Sequence, residues 1–296
     1  MAGKLRIDPQ FPHTRAHLRR RIGADSVGFV NLTESRLIRY YEESNSEQER
    51  LTRREGKLEL ARTRILLERL LPPPPARIID IGGGTGVHAD WLVAAGYSVH
   101  LVDVVPAHVQ HASEIKGVTA AVGDARMLRE PEASFDVALL LGPLYHLPER
   151  EDRIRAVSEA RRVVRDGGMV VAAVISRSAA LLDAIAKGWI DRPGAMPLIV
   201  EHLQGGSAPS SPRGFSSVAY FHWPEEARAE LELCALDVLA MVGVEGAGWL
   251  TTDFDERWES QEHRDLLMEI AALSDAHPEL LVLSSHLLAF CRTRPA

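Results

Sequence analysis

Arg77-Ile78-Ile79-Asp80-Ile81-Gly82-Gly83-Gly84-Thr85-Gly86 reads as a buried strand running into a glycine-rich turn. Isoleucine is stiff at χ1 and suits a pleated, enclosed surface, so the run predicts a central parallel strand. Val87, Trp91, Leu92 and Ala95 follow at helical spacing, so a helix opens directly after the glycines. Strand, turn and helix N-terminus together make a cradle. Glycines let a ligand lie against the backbone, and the open amides of the first helical turn face it.

The pattern Asp80-x-Gly82-x-Gly84-x-Gly86 resembles the first motif of the class I S-adenosylmethionine (SAM) dependent methyltransferases. The same residues contain Gly84-x-Gly86-x-x-Ala89, a relaxed dinucleotide fingerprint, which keeps an NAD(P)-linked oxidoreductase as the competing reading. A tight turn that binds nothing is the plainest alternative. Residues further along discriminate among the three.

Ser98-Val99-His100-Leu101-Val102-Asp103 is a second apolar strand ending in an acid. Ligands of open α/β sheets bind at the carboxyl ends of strands, which puts Asp103 where a ribose would be held. Its other reading, a helix N-cap, is weakened by Pro106, which already marks the next helix start. Val118 to Val122 is a third strand, followed by Gly123-Asp124-Ala125-Arg126. Here the resemblance to the methyltransferases sharpens. It implies that Asp124 meets the adenine amino group and that the backbone at Ala125 meets the ring. An Asx-turn is the alternative at Asp124. The resemblance also assigns the cofactor backbone contacts to Asp80, Gly82, Gly83, Gly84 and Gly86.

Phe135 to Leu141 is a fourth strand, and Gly142-Pro143-Leu144-Tyr145-His146-Leu147 follows it. In the family this loop lines the methyl-donor pocket, which places Leu141 beside the cofactor and Tyr145 and His146 beside the acceptor. The loop lacks the Asn/Asp-Pro-Pro-Tyr/Phe motif of many DNA, glutamine and RNA-base methyltransferases, a departure that favours small-molecule chemistry. An imidazole suits removal of a hydroxyl proton at neutral pH. His146 is the histidine best placed for that task, and packing under the cofactor is its bland alternative. A helix from Pro148-Glu149 closes at Asp166-Gly167-Gly168, and Met169 to Ile175 is the fifth strand.

Alternation then lapses. Residues 178–222 hold a short helix candidate and then Pro193, Pro197, Gly205-Gly206, Pro209, Pro212 and Gly214. So long a loop-rich stretch is uncommon unless it is functional, and it reads as a cap carrying Trp189, His202, Tyr220, Phe221 and His222. Pro224-Glu225-Glu226 opens another helix, Val238 to Val244 is the sixth strand, and Ser285 to Cys291 the last. Upstream, Leu58, Ala61 and Ile65 share one face of an amphipathic helix that ends at Pro72-Pro73-Pro74-Pro75.

The expectation is an α/β chain with a doubly wound, Rossmann-like sheet of seven strands, the last antiparallel by resemblance. Residues 1–71 form an N-terminal arm and helices. Residues 76–177 form the SAM-binding core, 178–222 the cap, and 223–296 the C-terminal part of the sheet. Residues 1–23 carry six arginines and lysines against Asp8, a basic arm read as a loosely packed terminus rather than an RNA contact. A net charge of −7 over 296 residues argues against a nucleic-acid partner. Cys234 and Cys291 lack metal-ligand spacing, the twelve histidines are scattered, and no metal is expected. No 18-residue apolar run and no signal peptide are read, so no membrane partner is expected and the cytoplasm is the default setting. The leading function is transfer of a methyl group from SAM to oxygen or nitrogen of a small molecule. RNA, tRNA or a peptide as acceptor, a silent SAM-binding module, and the oxidoreductase are the alternatives. The acceptor and the oligomeric state are left open.

Overall fold

A computed structural model of the chain describes Leu51, residues 54–207 and residues 219–295. The basic arm lies outside the described residues. The glycine-loop strand, β1 (Arg77–Ile81), sits mid-sheet, paired in parallel with β2 (Ser98–Asp103) and β4 (Phe135–Leu140). The sheet continues through β3 (Val118–Val122), β5 (Val164–Ser176), β7 (Leu236–Gly243) and β8 (His286–Thr293) in the order β3-β2-β1-β4-β5-β8-β7. β8 runs antiparallel to both of its neighbours, as expected. A short eighth strand, β6 (Phe221–His222), adds to the end of β5 in parallel.

The period of two along each strand divides the side chains between two layers. Ile79, Ile81, Ala138, Leu140, Val170 and Ala172 face one core, covered by α4 (Arg150–Val163) and α7 (Pro224–Leu233) through residues such as Val157 and Leu231. Ile78, Val137, Leu139, Leu101 and Val171 face the other, covered by α1 (Gly56–Leu70), α2 (Val87–Ala94) and α3 (Pro106–Ser113). A sheet apolar on both faces needs helices on both, and this is the doubly wound arrangement. Among the described residues no helix is long and apolar enough to cross a membrane.

Three local expectations are corrected. The helix expected to close at Asp166-Gly167-Gly168 stops at Val163, because Val164 is already paired with Phe135 and buried. Its glycine turn falls inside β5, at the register shift between Phe135 and Val137. The segment read as loop-rich holds two helices, α5 (Ala179–Ala186) and α6 (Ala195–Gly205). Pro193 and left-handed Gly194 precede α6, and Pro197 falls in its first turn, where the missing N–H costs no helical bond. Residues 208–218 lie outside the described residues. Finally, β6 makes the sheet eight-stranded rather than seven-stranded. The C-terminal stretch adds α8 (Phe254–Glu259) and α9 (Gln261–Ala276), which pack on Leu58 of α1 through Phe254, Leu267 and Ala271.

Candidate active site

Four loops leave the carboxyl ends of β1 to β4 on one edge of the sheet, and the residues singled out in the sequence lie on them. Gly84 N–H donates to Asp103 Oδ2 at 2.9 Å, so the glycine turn is tied to the end of the next strand. The other oxygen of Asp103 accepts from Val105 N–H at 2.9 Å and meets the ring of His108 at 3.2 Å. Asp103 is buried and holds two loops together.

Asp80 is more exacting. It is 1% exposed, and its Oδ2 has no hydrogen-bond partner. Burial, and then the neighbouring carboxylate of Asp103, push its carboxyl up to about 7. Only glycine fits beside it: a Cβ at position 83 would lie 2.5 Å from that same oxygen. Gly84, at φ +57°, has the opposite surroundings, since a Cβ there would meet nothing within 4 Å. An open backbone face beside an unsatisfied buried acid is a site shaped for a ligand that brings a cationic donor.

On the third loop, the backbone N–H of Arg126 donates to Asp124 Oδ1 at 2.8 Å, the Asx-turn bond weighed in the sequence. The Arg126 guanidinium also grips both carboxylate oxygens, and its Nη1 reaches Asp152 on α4 at 2.9 Å. Burial pushes the Asp124 carboxyl up, but the bonds from Arg126 outweigh it and hold it below its ordinary range. Ala125 packs against the α4 side of the core.

The loop after β4 forms a 3₁₀ turn over Pro143–His146. Leu141 packs against the second core layer. Tyr145 is buried, and its hydroxyl donates to the carbonyl of Leu141 at 3.0 Å. His146 is half-buried with its ring 4.7 Å from that of Tyr145. The loop is anchored from below. Arg153, 1% exposed, donates to the carbonyls of Leu147 and Pro148 at 3.0 and 2.8 Å, and makes two bonds of 2.9 and 2.7 Å to Glu230. Its guanidinium lies 3.6 Å over the ring of Tyr220, whose N–H donates to the Tyr145 carbonyl. Tyr220 and His222, expected on the cap, are built into this ion network together with Arg177 and Glu226. His202 is buried in α6 with its Nδ1 unbonded, against Phe221.

Residues 78–168 match the model of the methyltransferase domain. Over those residues the chain carries a methyltransferase domain, and its likeness is to the class I SAM-dependent family. Within it, a rice 2-methyl-6-phytyl-1,4-hydroquinone methyltransferase is 36% identical over 98 residues, 31% of this chain and 27% of that one. A ubiquinone biosynthesis O-methyltransferase of Paracidovorax citrulli is 28% identical over 188 residues, 60% of this chain and 71% of that protein. A SAM-dependent methyltransferase of Thermotoga maritima superposes with a TM-score of 0.55 at 16% identity, over 88% of this chain and 99% of that one. That last likeness shows the fold alone. The chain spans only about a quarter to under half of the length of the first curated relatives it matches. The family cofactor is SAM, and the cradle fits it: the methionine ammonium would satisfy Asp80, with the glycine backbone left open beside it.

Glu59, Glu245 and His286, also at the carboxyl edge, went unnoticed in the sequence. They come from α1, the turn after β7 and the first residue of β8. Nothing in their spacing joins them, and only the antiparallel pairing of β7 with β8 brings Glu245 to His286.

Proposed function

We propose that this chain transfers a methyl group from SAM to an oxygen or nitrogen of a small organic acceptor. The observation that carries the reading is the unsatisfied carboxylate of Asp80 beside the glycine turn, inside the stretch that matches the family model. SAM supplies a methyl group already activated on a sulfonium sulfur. The protein therefore has to bind, orient and exclude water, and to manage the acceptor's proton.

Asp80 pairs with the methionine ammonium, and Gly82, Gly83, Gly84 and Gly86 present backbone to the ligand. Asp103 holds the ribose hydroxyls while keeping its grip on Gly84. Asp124 accepts from the adenine amino group, the backbone at Ala125 meets the ring, and Leu141 closes the donor pocket. Tyr145 orients the acceptor from the loop that Arg153 anchors, and His146 takes the proton of a hydroxyl acceptor. Helices α5 and α6 and strand β6 serve as the cap over that acceptor. A cytoplasmic setting, with Cys234 and Cys291 reduced, completes the reading. The relatives' names include hydroquinone and ubiquinone methyltransferases, with C- and O-methyl transfer, and a protein-L-isoaspartate O-methyltransferase; the quinone names support a small molecule over RNA or tRNA.

Turnover with radiolabelled SAM and a panel of hydroquinone, catechol, small amines, bulk tRNA and a peptide mixture tests this. Label in a phenol or amine supports it. Label confined to tRNA or peptide moves the acceptor class, and reduction of NAD(P) without methyl transfer overturns the reading.

A further inference from the structure

We propose that Glu59, Glu245 and His286 form a site for one divalent transition ion of the zinc or manganese kind. One ligand atom from each lies within 4.8 Å of the others. Nδ1 of His286 stands 2.5 Å from Oε1 of Glu245 and 3.7 Å from Oε2 of Glu59. Donor atoms ~2.1 Å from a tetrahedral ion lie roughly 3.4 Å apart, so the two separations fall on either side of that spacing.

The donor set is mixed and sheltered. Side-chain exposure is 14% for Glu59 and His286 and 3% for Glu245. One imidazole with two carboxylates suits zinc or manganese better than magnesium, which prefers oxygen alone. These three groups carry two negative charges against at most one positive, which a divalent ion balances. Glu245 is already aimed. Its Oε2 accepts from Ser284 Oγ at 2.8 Å and from His286 N–H at 2.9 Å, leaving Oε1 turned to the imidazole. Ligating carboxylates are held in this way by their other oxygen. The ion would take the place of the hydrogen bond between Nδ1 and Oε1.

Three protein ligands leave a fourth position for water or a substrate oxygen. His286 pairs with Ile175 at the carboxyl end of β5, and its ring stands edge-on to Tyr145 with 6.4 Å between centroids. The fourth position therefore takes a hydroxyl or carboxylate of the acceptor; this step alone rests on the methyltransferase reading.

Calorimetry with ZnCl₂ and MnCl₂ on the chelator-stripped full chain at pH 8 tests the site. One ion per chain is expected. His286→Asn and Glu245→Gln should lose more than the ~10–100-fold that changes around a metal's ligands usually cost. Glu59→Gln leaves the bonds of Ser284, Glu245 and His286 intact, so its loss of affinity is readable even if the other variants do not fold. Failure of both ions to bind, or binding unchanged in Glu59→Gln, overturns the site and leaves a hydrogen-bonded His–Glu pair. SAM affinity measured on the same samples separates the two proposals. Metal failure with SAM binding retained sinks the ion site alone, and the reverse sinks the methyltransferase reading alone.

Discussion

At the scale of single residues, Asp80 makes the sharpest demand. A carboxyl raised from 3.8 to about 7 binds protons more readily folded than unfolded, so folding stability falls as pH rises from about 4 to about 7. That rise corresponds to about 4 kcal/mol. Asp80→Asn should therefore raise the melting temperature of the free protein at pH 8 and flatten that pH dependence. SAM affinity in the parent should weaken as pH drops below about 7, and the variant should lose that dependence. A melting temperature at pH 8 unchanged by the substitution would mean the carboxylate is satisfied. Asp103→Ala has two consequences, because the residue also accepts from Gly84 and Val105. It should weaken SAM by roughly 10–100-fold and cost about 1–3 kcal/mol of stability, the toll of stranding buried donors. Affinity equal to the parent's, with stability lowered, would leave Asp103 a loop tie only. The glycine run and both acids were legible in the sequence because their chemistry is local. The grip of Arg126 on Asp124, two residues away, is local too, but the sequence offered nothing to separate it from a free carboxylate. Glu245 and His286 are 41 positions apart, and no pattern in either segment marks them as partners.

At the scale of elements, the loop after β4 owes its shape to α4 and α7. Burial pushes the Glu230 carboxyl up, yet the bonds from His222 and Arg153 outweigh it and bring it down to about 2. A depressed acid stabilises above its unfolded value near 4.5, and that stability is lost as pH falls toward about 2. Glu230→Ala leaves the Arg153 charge buried without its carboxylate, a change that costs about 3–5 kcal/mol. Denaturant unfolding should show that loss, together with loss of the extra acid sensitivity. His146→Ala is the contrasting case. It should keep the stability and the SAM affinity and lower the rate on a hydroxyl acceptor by ~10²–10⁴-fold. A rate within a few-fold of the parent's would reduce His146 to packing. Helix α4 and its apolar face were readable from periodicity, whereas its end was not, since pairing of Val164 with β4 outranked the downstream glycines. Of the two helices of the 178–222 segment, α5 answers the short helix candidate, whereas α6 was hidden by prolines that sit before it or in its first turn rather than inside it.

At the scale of the whole molecule, the alternation of apolar strands with helices was enough to specify a doubly wound sheet, because the central strands β1, β4 and β5 are buried on both faces. The antiparallel β8 was not written in its own residues and came with the family resemblance. Gly82 to Gly86, Asp103 and Asp124 stand on neighbouring loops of one sheet edge, and a shared edge is what a single extended cofactor needs. If helices α5 and α6 close over the acceptor, limited proteolysis within 179–205 should slow when SAM and a turned-over acceptor are both present; equal cutting with and without them would make the segment a fixed part of the surface. The central claim is that the glycine cradle takes SAM. Calorimetry of the chain with SAM, S-adenosylhomocysteine and NADH tests it most directly. One site for the first two, weakened by Asp103→Ala, with no heat from NADH, is the predicted result. Saturable binding of NADH with no affinity for SAM or S-adenosylhomocysteine would contradict it.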